Sequence, residues 1–79
     1  MRLDKFLKVA RIIKRRTVAN DACDAGRVEV NGKVAKASMN VKPGDIICVK
    51  FGTKEVKAEV LNIDNVVRKE DAAEMYRIL

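Results

Sequence analysis

The chain has 79 residues, 48% of them hydrophobic, and a formal net charge of +6. That length makes a single domain over residues 1–79 without a deep substrate pocket, because a domain of about 60 residues buries only roughly 60% of its unfolded surface. With no His, no recognisable carboxylate pair and no Gly-rich phosphate loop, the chain is not expected to be an enzyme or to need a metal or cofactor.

The charge is segregated. Residues 1–16 hold seven basic side chains (Arg2, Lys5, Lys8, Arg11, Lys14, Arg15 and Arg16) and one acid, Asp4. The remaining residues hold ten basic and ten acidic side chains. The whole excess sits in the first fifth of the chain, which points to a polyanionic partner.

Leu3, Phe6, Leu7 and Ala10 follow the i, i+3, i+4, i+7 spacing of one helical face. Arg2, Lys5 and Lys8 fall on the other side, so the first helix is amphipathic with a cationic outer face. Asp4 is expected to pair locally with Arg2 or Lys8. Lys14-Arg15-Arg16 is expected to connect it to a second helix, with Thr17 as N-cap. Val18, Ala22 and Cys23 give that helix an inner face, Ala19 and Ala25 allow close packing, and Gly26 suits its C-terminal stop.

Val28-Glu29-Val30 alternates as a half-buried strand does, and Asn31-Gly32 is a strong hairpin signal before Lys33-Val34. Pro43-Gly44 suits a type II turn, with Asp45 after it. Ile46 to Val49 reads as a buried strand closed by Phe51-Gly52. Val56, Ala58 and Val60 alternate with Lys57, Glu59 and Leu61 in a long strand whose core face is open between the two. Glu70 to Leu79 reads as a terminal helix, with acids at its start and Ala73, Met75, Tyr76 and Leu79 for packing. The predicted fold class is α+β: two short N-terminal helices packed on a small, strongly bent antiparallel sheet, with a short C-terminal helix. Phe6 and Phe51 are assigned to the core.

Cys23 and Cys48 are too few and too far apart for a zinc site and lie in apolar patterns, so buried free thiols are expected. The charged N-terminus does not read as a secretion signal, and no apolar run approaches the roughly 20 residues of a membrane span. A reducing cytosol is the expected location, and the basic first helix is expected to serve the scarce core and not a membrane.

The run Arg2-Leu3-Asp4-Lys5-Phe6-Leu7, then Arg15-Arg16-Thr17-Val18-Ala19, then Gly26 to Lys33, then Val41-Lys42-Pro43-Gly44-Asp45 resembles the S4-type RNA-binding domain. The core motif spans residues 2–50, leaving 51–79 for a C-terminal strand and helix. Phe51-Gly52-Thr53-Lys54 and Ala72 to Tyr76 extend the likeness to the compact, stand-alone RqcP/YabO group. Its heat-shock-induced relatives carry a longer basic C-terminal extension. The resemblance implies binding to large-subunit rRNA and peptidyl-tRNA, and assistance, beside a NEMF-type factor, to C-terminal tailing of stalled nascent chains. Its alternative is ribosome assembly or heat-shock ribosome recycling. A monomer is expected.

Arg2 and Arg16 occupy the edges of the family motif and are for that reason the first choice for RNA contacts, with a guanidinium fork that suits phosphate. Lys5, Lys8, Arg11, Lys14 and Arg15 add phosphate contacts, Thr17 offers its hydroxyl or a helix N-terminal amide, and Lys33 and Lys36 extend the patch. Asn31 and Gly32 are read as turn residues. The shortage of aromatics argues against a single-strand reader and for structured RNA read by shape. DNA is disfavoured, since the basic segment holds no base-reading Asn or Gln.

Overall fold

A computed structural model describes residues 1–63 and 74–79. The chain forms helices α1 (Leu3–Val9) and α2 (Arg16–Asp24), then strands β1 (Val28–Val30), β2 (Lys33–Val34), β3 (Ile46–Phe51), β4 (Lys54–Val60) and β5 (Tyr76–Ile78). The five strands make one antiparallel sheet in the order β2-β1-β3-β4-β5. The α+β class is as the sequence predicts.

The apolar stripe of α1 is fully internal, with Leu3, Phe6, Leu7 and Ala10 all buried. They join Ala19 and Cys23 of α2 and Val28, Val30, Ile47, Val49 and Val60 of the sheet in one core. Strand alternation decides which sheet face meets the helices. Val28, Val30, Ile47, Val49, Ala58 and Val60 point inward, which answers the open question about β4. Glu29, Cys48, Lys50, Glu55, Lys57, Glu59 and Arg77 share the outer face.

Two turns carry the middle of the motif. Asn31 and Gly32 both have positive φ, 54° and 82°, the backbone of a tight I′ hairpin turn. Gly44 has φ 96°, and the Asp45 amide donates to the Lys42 carbonyl at 3.1 Å, as a type II turn requires. The turns are tied together. Asn31 Nδ2 donates to Asp45 Oδ1 at 3.2 Å, and Asn31 Oδ1 accepts from the Ile46 amide at 3.0 Å. Asp45 is buried, and its other oxygen accepts the Lys42 amide at 3.0 Å. The NG and PGD pieces are therefore a structural staple.

Four expectations change. The terminal segment is not helical where it is described: Tyr76–Ile78 is strand β5, paired as Val60↔Tyr76, Glu59↔Arg77 and Ala58↔Ile78. An open β4 ladder and β-forming Tyr and Ile outweigh a helical spacing read from a short segment. Met75 is buried as predicted, Leu79 is 60% exposed, and the start of the expected helix through Ala73 lies outside the described residues. Arg16 belongs to α2 itself, whose N-cap is Arg15 in extended conformation, without a side-chain cap bond, so Thr17 lies in the first turn. That start phases Ala19 and Cys23 inward and leaves Val18 50% exposed. Phe51 is 46% exposed, since it ends β3 at the hairpin and lines an open groove with Val18, Ala22 and Ala25.

Candidate nucleic-acid interface

Asp4 organises the basic end of the molecule. It lies in the first turn of α1, and its side chain is only 3% exposed. Five donors converge on its two oxygens. Oδ1 accepts the Lys5 amide at 2.8 Å and Arg2 Nε at 3.2 Å. Oδ2 accepts Arg2 Nη2 at 3.3 Å and Asn20 Nδ2 at 3.4 Å, and lies 3.4 Å from Arg16 Nε. Burial alone raises its pKa, but the bonds from Asn20, the Lys5 amide and Arg16, with the Arg16 charge, outweigh it and hold the carboxyl below its ordinary value.

Arg2 and Arg16 are far more exposed, at 47% of each side chain. With Asp4, Thr17, Asn20 and Asp21 they line an open groove of about 380 Å³ where α1 meets α2. Three of the predicted residues, Arg2, Arg16 and Thr17, thus come together. Lys5 is half-buried on α1, and Lys8 is exposed in its last turn. Arg11, Lys14 and Arg15 are exposed on the connection between the helices, where Arg11 adopts φ 61°. Among the described residues, none of these five cations has an acidic partner. Lys36 is exposed on a segment that runs beside the start of α1: the Asp4 amide donates to the Ala37 carbonyl at 3.2 Å, and the Leu3 amide to Met39 at 2.7 Å. Lys33, on the β1–β2 hairpin, does not line the groove.

Asn20 is the residue that sequence reasoning missed. Its only signal is a position one helical turn after Arg16, on the same face. Asp4 was expected to pair with Arg2 or Lys8, and it takes Arg2 together with Arg16.

The cysteines are not reactive centres. Burial, then the charges of Asp4 and Asp24, push the Cys23 thiol up to about 11. Burial and then the charge and hydrogen bond of Glu55 raise Cys48, whose Sγ donates to Glu55 Oε2 at 3.6 Å. Both are free and buried. Among the described residues no group of side chains is arranged to hold a metal, and no helix is long and apolar enough to cross a membrane.

A small α+β domain that gathers unpaired cations on a helix pair has the form of an RNA-binding module. Residues 1–47 match the S4 domain family model, and the chain belongs to that family. It is 56% identical to the RQC P-site tRNA stabilizing factor of Bacillus subtilis, over all of this chain and 92% of that protein. It is 52% identical to the factor of the same name from Streptococcus pneumoniae, over all of this chain and 90% of that one. The structure superposes on Vibrio cholerae Heat Shock Protein 15, described as trimeric, with a TM-score of 0.92, 34% identity, and coverage of 100% of this chain and 81% of that chain.

Proposed function

We propose that this chain is a non-catalytic, cytosolic RNA-binding factor of ribosome-associated quality control. It binds rRNA of the large subunit and the P-site peptidyl-tRNA through the helix pair, and so assists tailing of the stalled nascent chain beside a NEMF-type factor. The observation that supports this most is the exposed Arg2–Arg16 pair, in a chain 56% identical to a protein named for stabilizing P-site tRNA. Arg2, Lys5, Lys8, Arg11, Lys14, Arg15, Arg16 and Thr17 form the RNA surface, with Lys33 and Lys36 at its margin. It acts as a monomer.

Tagged protein purified from cells is expected to bring down large-subunit rRNA and tRNA together. Recovery of small-subunit rRNA alone would overturn the reading in favour of assembly. Heat-shock recycling is a second reading, favoured by the superposition on Heat Shock Protein 15. It predicts large-subunit association that rises only after heating.

A further inference from the structure

We propose that Asp4, assisted by Asn20, is a positioning residue that sets Arg2 and Arg16 as a pair for one backbone phosphate of the bound RNA. The inference rests on the RNA-binding reading above and deepens it.

Three observations carry it. First, the Asp4 side chain is buried while both arginine side chains are half-exposed, so Asp4 meets the arginines from beneath and is itself out of reach of RNA. Second, both arginines meet Asp4 from the Nε side of the guanidinium. Each guanidinium has five N–H donors. Arg2 gives Asp4 its Nε and one Nη2 proton, and Arg16 approaches it through Nε. Among the described residues nothing else pairs with the terminal amino groups of Arg16. The Nη1 end of Arg2 and the terminal amino groups of Arg16 therefore remain available to a phosphate. Third, the charges do not close. Two guanidiniums and one carboxylate leave a single positive charge, which one backbone phosphate neutralises. Asp21 also lines the groove, but it is exposed and, among the described residues, forms an ion pair with neither arginine.

Stability alone is a poor reason for this arrangement, since a buried carboxylate must be desolvated and apolar packing does as well or better. A preorganised pair has another benefit. Long side chains lose conformational freedom when they bind, and ordering them beforehand lowers that cost.

The test turns on a difference of sign. Asp4→Asn keeps the shape of the side chain but raises the net charge by one. If charge alone governs binding, every polyanion binds this variant more tightly. If Asp4 positions the arginines, affinity for tRNA falls about tenfold while affinity for poly(U) holds or rises. Asn20→Ala, which leaves the charge unchanged, is expected to lower tRNA affinity about threefold with poly(U) unaffected. In the free wild-type protein the Nε–H protons of Arg2 and Arg16 should exchange slowly by NMR, and Asp4→Asn should abolish that protection. Tight tRNA binding by a folded Asp4→Asn protein overturns the inference, and so does unaltered binding by Asn20→Ala if Asp4→Asn does not fold. The two levels separate cleanly. If Arg2→Ala and Arg16→Ala leave tRNA binding unchanged, the RNA surface itself is wrong. If they weaken it while Asp4→Asn strengthens it, only the positioning role fails.

Discussion

On the outer face of the sheet, Glu29 lies 2.8 Å from Lys50, Glu55 lies 3.9 Å from Lys57, and Glu59 pairs with Arg77. Each cation there has its own carboxylate on a facing or neighbouring position. On the helical side Arg2 and Arg16 share Asp4, and five further cations have no acid beside them among the described residues. Both surfaces are rich in charge. One is closed within itself and presents little net field, while the other is left open to a partner that supplies negative charge. Charge content therefore does not distinguish the two faces of this protein, and charge imbalance does, which is why the RNA surface is proposed on the helical side.

The largest expected effect tests that contrast directly. Arg2→Glu with Arg16→Glu should lower association with large ribosomal subunits by about 100-fold or more, since charge-assisted bonds contribute about 1.5–3 kcal/mol each. Lys57→Glu with Arg77→Glu changes formal charge by the same amount on the sheet face and should lower it by less than about tenfold. Co-sedimentation across a salt series measures both, and equal losses would erase the distinction. Binding should also weaken as salt rises, with a shallower slope in the helical-face variant.

Next in size is a change that spares the proposed RNA surface. Asp45→Ala removes the acceptor that ties the two turns and leaves the Lys42 amide without its partner. Denaturant unfolding should show a loss of about 1–3 kcal/mol, with RNA affinity of the folded protein unchanged. A loss of affinity at unchanged stability would move the staple into the RNA site.

The smallest effect is the pH dependence of Asp4. Its folded pKa lies below the unfolded value, so it stabilises the fold fully above the unfolded value of about 3.9. That contribution disappears as pH falls through the depressed folded value. The stability difference between wild type and Asp4→Asn should therefore be constant near neutrality and shrink below about pH 4. A difference that grows on acidification would mean that the carboxyl is not held below its ordinary value.

Much of this molecule was legible along the chain. The stripe from Leu3 to Ala10 predicted α1 because burial repeats with the helical period. Asn31-Gly32 and Pro43-Gly44 predicted their turns because few residues accept positive φ. The confinement of the net positive excess to residues 1–16 was visible without any coordinates and is what the proposed RNA surface rests on. The misses share a cause. Whether Tyr76–Ile78 winds as helix or adds to β4 depends on an unpaired strand edge that only the assembled sheet provides. Phe51 ends β3 at the margin of the helix layer, where it lines an open groove with Val18 and Ala22 and stays 46% exposed, and local pattern does not report how far the core reaches. Asp4 and Asn20 are sixteen residues apart, and their bond exists only because α2 folds back on α1. The sequence alone therefore determined that the first sixteen residues are cationic and that Leu3, Phe6, Leu7 and Ala10 turn inward, because both follow from composition and local periodicity, while the burial of Asp4 and Ile13 did not show in that pattern. The tertiary structure decided that two of those cations share one buried carboxylate, because that depends on where distant backbone segments meet.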